Sequence, residues 1–360
     1  MHFTKKLYNC KISLYLVSFQ KKGNSIIVNK KKTIDIFLSV IDNYGDIWFA
    51  VELLMAFKRW FGDVYEFLIW TDSLKKTEDF FSLNKQYLPK YSVFSMEDFG
   101  KMGKSQVALS LFHAPIPEKS YFFHKSLVLR IDYLSFDPQW LSFHEREHIS
   151  SSENQKVIEL IPSPLSLGAG LLPVLDTFYS RSFLAERFWL DEKKKWIPIF
   201  CYPETISRIH WTDVPRSFEF LIFGDTPLPE SHSKRMDLEF HILPFLDIFT
   251  WQSILSESEW AILRWEVSAS SGFSFGKLGF WDMYKQIGWY NSEQGNDFCN
   301  FFDFSPLYKD IHLRLNGQKE WWVYLSELIK YRENTKITST RTKNLIEEIK
   351  KHIDRYEISI

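Results

Sequence analysis

The chain of 360 residues has few cysteines, almost no excess charge and no long apolar run. Its three cysteines, Cys10, Cys201 and Cys299, are odd in number and widely spaced, which excludes a disulfide framework and favours reduced thiols. Basic and acidic side chains nearly balance, 44 against 45, so no basic surface for nucleic acid is expected. No apolar segment is long enough to cross a bilayer. The N-terminus has an early lysine pair and an apolar patch, but residues 9–11 interrupt the patch and no small-residue cleavage site follows, so we do not expect a signal peptide. These absences favour a cytoplasmic protein without a membrane or nucleic-acid partner.

Several ligand-binding motifs are also missing. There is no G-x-G-x-x-G, no Walker loop and no pair of aspartates two residues apart, so the common dinucleotide, ATP and metal–diphosphate sites are absent. The segment from His144 to His148 matches the zinc spacing H-E-x-x-H. However, three serines follow at residues 150–152 and apolar flanks are lacking, so we predict a solvated surface turn and no metal site. The Pro-, Ser- and Gly-rich segment 162–170 is predicted to be a surface loop.

What the chain does contain is a large apolar fraction, 45% hydrophobic and 18% aromatic, enough for two domains with separate cores. Residues 33–60 open the ordered part as a buried strand, a turn with two carboxylates and an amphipathic helix. Residues 1–32, which end in a lysine run, are expected to be a disordered or additional extension.

Two β-α-β series follow one another along the chain, separated by a charged hinge at residues 191–195. The pattern predicts two doubly wound domains, an N-terminal one at 33–190 and a C-terminal one at 191–360 with C-terminal helices. The predicted strands lie at 65–71, 105–112, 126–135, 156–161, 196–202, 218–224, 238–243 and 260–266.

Two groups of residues at predicted strand ends are candidates for chemistry. Asp42 and Asp46 flank the first turn, where open α/β sheets place their sites, but an Asx-turn and a helix cap would explain them equally well. Glu266 and Ser268 precede residues 270–279, which are small and Gly-rich enough to approach a phosphate. An ordinary strand-to-helix turn explains this second group as well.

Motifs along nearly the whole chain resemble the protein-arginine rhamnosyltransferase family (EarP-type), which acts on translation elongation factor P. The second-domain motif of that family is R-G-E-D-S followed by W-x-I-Y-x-Q. This chain has Arg264, Glu266 and Ser268, then Trp281, Tyr284 and Gln286, and the gap of 16 residues from Ser268 to Tyr284 is the same. Other similar segments are DNYGD (42–46), IDYLS (131–135) with Trp140, GAGLL (168–172), FCY (200–202) and PFL (244–246).

The resemblance implies an α/β GT-B fold, with two Rossmann-like domains facing across a cleft. It implies inverting, metal-independent transfer of rhamnose from dTDP-β-L-rhamnose to an arginine of elongation factor P in the cytoplasm, with no cofactor. The family's catalytic acids correspond to Asp42, Asp46 and Glu266. Its donor-binding residues correspond to Phe200, Tyr202, Phe245, Trp251, Arg264, Ser268, Tyr284 and Gln286, with Trp251 at the position that stacks on thymine.

In this hypothesis two carboxylates on one turn hold and polarise the acceptor guanidinium, which is protonated at neutral pH. Asp46 is the leading candidate for the general base and Asp42 for orienting the acceptor, although these roles can be exchanged. Ser268, the adjacent helix N-terminus and Tyr284 would stabilise the departing phosphates, and Glu266 would position donor or acceptor.

Three positions depart from the family pattern. Trp265 replaces the motif glycine, Val267 replaces its aspartate, and Ile248 stands where a glutamine contacts the base. Two alternatives therefore stay open. One is a GT-B transferase with another nucleotide sugar or acceptor, and the other is a homologue that only binds elongation factor P or a nucleotide.

Overall fold

The computed structural model of the chain describes residues 21–22, 25–26, 32–41, 44–101, 105–116, 127–149, 156–212, 214–224, 226–228, 238–264, 266–283, 297–300, 306–317, 323–334 and 344–358. The strands are β1 (Lys21–Lys22), β2 (Ser25–Ile26), β3 (Lys32–Leu38), β4 (Tyr65–Thr71), β5 (Tyr91–Ser95), β6 (Val107–Leu111), β7 (Leu127–Ile131), β8 (Glu147–Ile149), β9 (Lys156–Leu160), β10 (Lys195–Phe200), β11 (Ile209–His210), β12 (Phe218–Phe223), β13 (Glu239–Leu243), β14 (Ala261–Arg264), β15 (Leu278–Asp282) and β16 (Val323–Tyr324). The α-helices are α1 (Gly45–Phe61), α2 (Leu74–Asn84), α3 (Pro138–Leu141), α4 (Arg181–Phe188), α5 (Pro203–Ile206), α6 (Ile248–Glu257), α7 (Glu266–Ser274), α8 (Pro306–Leu315), α9 (Leu325–Asn334) and α10 (Leu345–Ile358).

The first sheet has the strand order β5-β4-β3-β6-β7-β9-β8, with every pair parallel except β8 and β9. Its inner strands are largely apolar on both faces, and residues 34–38 of β3 are fully buried, with Asp35 as the polar exception. Parallel strands covered by helices on both faces require this composition. The short β1–β2 pairing lies within the predicted N-terminal extension, whose remaining residues up to 31 are outside the described part of the chain.

The second sheet has the order β13-β12-β10-β14-β15 and is parallel throughout. Both sheets therefore place their first strand in the middle and add later strands on either side, which is the doubly wound arrangement that the sequence predicts. The carboxyl ends of β3 and β10 lead into the turn before α1 and the 200–202 segment. These are two of the segments in which the sequence predicts site residues.

Helix α1 is not amphipathic, contrary to the sequence-based expectation. Every residue from Gly45 to Phe57 is buried. From Gly45 to Phe57 the helix is enclosed by β3, α2, α7 and α10, whereas Arg59 and Trp60 in its last turn are exposed. This enclosure forces the polar side chains of α1, Asp46 and Glu52 among them, into the interior.

Helix α10 returns from the second half of the chain to the first sheet. Lys351 binds both Glu145 and Glu348, and Lys32 at the start of β3 lies 2.5 Å from Glu357. The chain end thus packs against the first sheet's layer and not only beside the second sheet.

The segment 162–170 is not the surface loop that its composition predicts. Apart from residues 165–167 it is buried, and Ser163 pairs with Gly170 in an isolated bridge. A Cβ at Gly168 would lie 2.5 Å from the Cβ of Ser163 and 3.0 Å from the oxygen of Ile161. The glycine there permits close packing of two chain segments.

Within the described residues no helix is long and apolar enough to cross a membrane. Cys201 and Cys299 are buried and take part in no disulfide among the described residues, whereas Cys10 lies outside the described ranges.

Candidate active site

The carboxylate of Asp46 lies in the interior beside the turn that precedes α1. Its exposed fraction is 2%, and its Oδ2 accepts a hydrogen bond of 2.8 Å from the backbone N–H of Ile41. The N-cap of α1 is Tyr44, which makes no side-chain cap, so Asp46 does not cap the helix as one sequence-based alternative proposed. The carboxylate holds the residues before the turn against the helix start. Asp42 itself lies outside the described residues.

Arg264 at the end of β14 contacts two other predicted donor-binding residues, Phe200 and Tyr202. Its guanidinium carbon lies 4.3 Å above the ring of Phe200 and 4.9 Å above that of Tyr202, and the side chain is almost fully buried. Its Nη1 also lies 3.5 Å from the backbone oxygen of Cys201. A buried guanidinium stacked on two rings presents a fixed positive charge at the carboxyl edge of the second sheet.

Asp282 fixes the position of Tyr202, a role that the sequence did not reveal. The carboxylate is fully buried and accepts a 2.6 Å hydrogen bond from Tyr202 N–H and a 2.7 Å hydrogen bond from Thr205 Oγ1. Asp282 is also the register partner of Arg264 across β14 and β15. The signal was present, since an aspartate that directly follows a buried Trp281 at a strand end is polar where a strand should be apolar.

An aromatic slot of about 10 Å³ lies between the second sheet and α1. Trp251 of α6 packs 4.9 Å from Phe223, 6.1 Å from Phe200 and 5.9 Å from Trp48 of α1, as measured between ring centroids. The slot is lined by Trp48, Phe200, Phe223, Gly224, Pro244, Phe245, Leu246 and Trp251. Flat rings on several sides match a flat, partly apolar ligand such as a nucleobase, but the slot has room for only about one water molecule and would have to open to admit one.

Gly224 opens the slot. Its φ is +65°, and a Cβ there would lie 3.1 Å from Phe200 and 3.2 Å from Phe245. Phe245 in turn packs 5.0 Å from Tyr44, the residue that precedes α1. The slot therefore joins the donor-binding candidates Phe200, Phe245 and Trp251 with the chain beside the acidic turn.

Helix α7 follows Arg264. The prediction of a Gly-rich segment at 270–279 that approaches a phosphate is wrong, because these residues form most of α7 and the start of β15. The first residue of α7 is Glu266, and Ser268 is fully buried with no hydrogen-bond partner for Oγ among the described residues. Gly272 lies inside the helix, where a Cβ would be 2.7 Å from Leu263, so this glycine serves helix–sheet packing. Only the first turn of α7 remains a candidate for binding phosphate. The side chain of Glu266, and all of Trp265, Tyr284 and Gln286, lie outside the described residues.

Two of the three positions that depart from the family pattern, Ile248 and Val267, lie within the described residues, and both face the half of the protein that contains the first sheet. Ile248 is fully buried, and its N–H donates a 2.8 Å hydrogen bond to Asn84 at the end of α2. Val267 lines a cavity of about 20 Å³ that also contacts Asp132 and Glu52. Where the family has a polar glutamine and an aspartate, this chain has apolar side chains in the interface between its two halves.

Glu52 connects α1 to two helices of the second half. Its Oε1 accepts hydrogen bonds from Trp48 Nε1 (3.0 Å), Gln252 Nε2 (3.1 Å) and Ser271 Oγ (3.5 Å). Burial raises the pKa of Glu52 from 4.5 to about 7, against the three hydrogen bonds, which lower it. The carboxyl group therefore titrates near neutrality in the interface.

His113 and Asp132 form a pair at the carboxyl edge of the first sheet that sequence reasoning missed. His113 Nε2 lies 3.0 Å from Asp132 Oδ1, and Asp132 also accepts hydrogen bonds from Tyr133 N–H (2.7 Å) and Trp140 Nε1 (2.8 Å). The family resemblance draws attention to the IDYLS segment and to Trp140 but gives them no role. In the structure Asp132, the aspartate of IDYLS, joins Trp140 to His113.

The segment with the H-E-x-x-H spacing was predicted to be a surface turn, and it does not form a helix. His144 and Glu145 are in the turn after α3, and residues 147–149 form β8. Ligand atoms of His144, Glu145 and Glu348 come within 4.8 Å of one another, but the Lys351 ammonium already binds both carboxylates. The motif belongs to the contact between α10 and the first sheet's layer.

The sequence matches no protein-family model and no curated protein sequence. Among solved structures, UDP-GlcNAc 2-epimerase from Neisseria meningitidis bound to UDP-GlcNAc is similar over 90% of this chain and 100% of its own, with a TM-score of 0.52 and 10% identity. A structure titled as the structural basis for EarP-mediated arginine glycosylation of translation elongation factor EF-P covers 88% of this chain and 92% of its own, with a TM-score of 0.49 and 14% identity. Spinosyn rhamnosyltransferase SpnG complexed with thymidine diphosphate covers 89% and 99%, at a TM-score of 0.47 and 11% identity.

The chain has the GT-B fold. The two parallel sheets and the similarity to the epimerase confirm this prediction from the sequence, and at 10% identity that similarity shows the fold alone. In this GT-B arrangement the aromatic slot and Arg264 belong to the second sheet, while Asp46 and the His113–Asp132 pair belong to the first. The interface between the halves, in which Glu52 lies, separates the two groups.

Proposed function

We propose that this protein is an inverting glycosyltransferase that moves rhamnose from dTDP-β-L-rhamnose to an arginine side chain of translation elongation factor P. The observation that supports this best is the stacking of Arg264 on Phe200 and Tyr202 beside the aromatic slot. Three of the residues that the rhamnosyltransferase motifs single out, Phe200, Tyr202 and Arg264, are thus in contact, although Arg264 is far from the other two in the sequence. The proposal includes a cytoplasmic location and no requirement for a metal or cofactor.

The donor would lie along the carboxyl edge of the second sheet. The thymine would enter the slot beside Trp251 and Phe245, where ring stacking contributes about 1–3 kcal/mol per base. The diphosphate would then reach Arg264 and the first turn of α7, where Ser268 and the helix N-terminus favour negative charge. These contacts would stabilise the charge that develops on the leaving dTDP. Tyr284 and Gln286 remain proposed donor contacts on the family resemblance.

The acceptor would approach from the first sheet. A guanidinium has five N–H donors in a planar fork and stays protonated at neutral pH, so carboxylates are needed to bind and orient it. Asp42 and Asp46 on the turn before α1, with Glu266 at the start of α7, are the proposed carboxylates. They would align one nitrogen with the anomeric carbon, opposite the departing phosphate.

A second candidate function follows from Val267 and Ile248. Because both are buried and apolar, they offer no polar contact to the base or the ribose. The same fold and acceptor could then serve a different nucleotide sugar. Isothermal titration with dTDP and UDP separates these candidates, since the favoured proposal requires tighter binding of dTDP.

The proposal is tested by mass spectrometry of elongation factor P after incubation with dTDP-β-L-rhamnose. We expect the gain of one deoxyhexose on an arginine, unchanged in the presence of a chelator. Asp42→Asn and Asp46→Asn should abolish transfer while leaving dTDP binding nearly intact, and Asp63→Asn in the exposed turn after α1 is the matched control. Full transfer by both site variants would refute the assignment of the acids.

A further inference from the structure

We infer that His113, held by Asp132, is a further acid–base residue on the acceptor side of the cleft and takes up the proton that the acceptor loses. The inference rests on the proposed transfer reaction, and it adds a residue that the motifs do not identify. It is carried by position, backbone conformation and hydrogen bonding.

The pair lies next to the acidic turn. Strand β6 pairs directly with β3, with Leu111 opposite Leu38, and β7 pairs with β6, with Ile131 opposite Leu111. His113 and Asp132 follow these strand ends by two residues and one residue. They therefore lie at the same sheet edge as the turn that carries Asp46, which is where open α/β sheets bind ligands.

The backbone at this edge is held in a conformation that side chains rarely adopt. Phe112 and His113 have φ values of 52° and 58°, two consecutive non-glycine residues in the left-handed region. Such residues cost about 1–3 kcal/mol each and persist where the surroundings fix them. Here Phe112 is fixed by stacking 4.5 Å from Tyr133 and by an edge contact 4.9 Å from Phe49. With this backbone conformation, His113 lies two residues beyond the end of β6.

Asp132 is built to hold that ring. It is 6% exposed and accepts hydrogen bonds from Trp140 and from the backbone of Tyr133 as well as the contact from His113. It also lines the cavity that reaches Val267 and Ser270 of α7, so it faces the helix proposed to bind the donor phosphates. The pair thus connects solvent at the cleft to the interface between the two halves.

The hydrogen bond to Asp132 leaves one ring nitrogen for a substrate. Because a carboxylate accepts hydrogen bonds only, the nitrogen that faces it is Nε2–H, and Nδ1 of the neutral ring carries the lone pair. The side chain of His113 is 55% exposed, so Nδ1 can be reached from the cleft. Asp46, by contrast, is 2% exposed and its Oδ2 accepts the N–H of Ile41, so its proposed part is to orient the acceptor and the proton passes to the more exposed His113.

The charges around His113 favour uptake of a proton. The hydrogen bond and charge of Asp132 raise the pKa of His113 above its usual 6.5, with a smaller contribution from Glu159, whereas burial and Arg130 lower it. In the reaction, the acceptor nitrogen forms a bond to the anomeric carbon while the bond from that carbon to the diphosphate oxygen breaks. The electron pair leaves with dTDP, and the proton of the nitrogen passes to Nδ1.

The test is the pH dependence of kcat/KM for transfer to elongation factor P. We expect an acid limb whose midpoint lies above the ordinary histidine value of 6.5. His113→Gln should lower kcat by about 100-fold or more with little change in the donor KM, and the limb should be absent from the residual rate. Asp132→Asn, a change in the positioning residue, should move the limb to lower pH.

Two variants serve as controls. His241→Gln removes the histidine of a second pair, 3.5 Å from Glu219 in the second sheet, and should keep both the rate and the limb. Glu52→Gln removes a buried carboxyl whose pKa is raised to about 7 and should keep the limb. A limb that disappears in Glu52→Gln but survives in His113→Gln would overturn the inference.

The outcomes distinguish this inference from the proposed function. If transfer occurs and the profile has no histidine limb, His113 is not the proton acceptor and the proposed function stands. If no donor supports transfer, the proposed function is wrong. The inference is then decided by NMR titration of His113 with an arginine-containing peptide, where an unchanged His113 pKa would refute it.

Discussion

Neutralising Glu52 should stabilise the protein above neutral pH. The substitution Glu52→Gln keeps an oxygen for the Trp48 indole N–H and an amide that can pair with Gln252, but it removes the charge. The wild-type carboxyl is 7% exposed, and desolvation outweighs its three hydrogen bonds in setting its pKa. The interface therefore tolerates the neutral form better than the charged one.

The magnitude follows from the pKa of Glu52, about 7 in the folded protein against 4.5 for an unperturbed glutamate. Between these pH values the unfolded chain releases a proton that the folded protein retains, so stability falls as pH rises through this window and is constant above it. At about 1.36 kcal/mol per pH unit the loss is roughly 3 kcal/mol. Glu52→Gln should remove this contribution and be more stable than the wild type at alkaline pH by up to that amount.

The assay is urea denaturation followed by tryptophan fluorescence at about pH 5 and about pH 8. We expect the free energy of unfolding of the wild type to fall between the two, and that of Glu52→Gln to fall by about 2.5 kcal/mol less, because pH 5 already lies above the unperturbed value of 4.5. Glu66→Gln on β4, where Glu66 binds Lys90 at 2.7 Å, should behave like the wild type. An equal pH dependence in the wild type and Glu52→Gln would refute the reasoning.

Three further predictions concern the donor side. Trp251→Ala removes a buried wall of the slot and should weaken dTDP binding at least about 10-fold by isothermal titration, and unchanged affinity would exclude the slot as the base site. Gly224→Ala places a Cβ 3.1 Å from Phe200 at a φ of +65°, so we expect weaker dTDP binding and a free energy of unfolding lowered by about 1 kcal/mol through backbone strain. Arg264→Lys replaces a planar group stacked on Phe200 and Tyr202 by a point charge, and should raise the donor KM about 10-fold or more in steady-state assays; an unchanged KM would place the diphosphate elsewhere.

The central strands could be predicted from the sequence because burial on both faces produces apolar runs. Strand β4 occupies the predicted residues 65–71, and β9 and β12 each end one residue before the prediction. The edge strand β5 was missed because all five residues are half-buried and two of them are serines, so they form no continuous apolar run. Strand β15 was missed because Gly279 suggested a loop, whereas a Cβ there would lie 2.4 Å from Trp260.

Phe200, Tyr202 and Arg264 could be chosen by motif because they lie in short segments at strand ends, and their role in donor binding stays a prediction. The polar contacts that organise the site could not be predicted in this way. Glu52 and Gln252 are separated by 200 positions, and no local pattern pairs them. His113 and Asp132 are 19 positions apart, and their contact depends on the register of β6 and β7 and on a left-handed backbone that the residue types disfavour.

The prediction that α1 is amphipathic was wrong for a related reason. A period of apolar residues predicts which face packs on the domain's own sheet, but it carries no information about a second domain or a returning C-terminal helix. Because α7 and α10 cover the remaining faces, Asp46 and Glu52 are buried where the pattern expects solvent.

The most direct test of the proposed function is intact-protein and peptide mass spectrometry of elongation factor P incubated with this protein and dTDP-β-L-rhamnose. The account predicts one added deoxyhexose on an arginine with the wild type, and none with Asp46→Asn even though that variant binds dTDP. Binding of dTDP by the wild type without modification of any arginine, under conditions in which elongation factor P also binds, would contradict it.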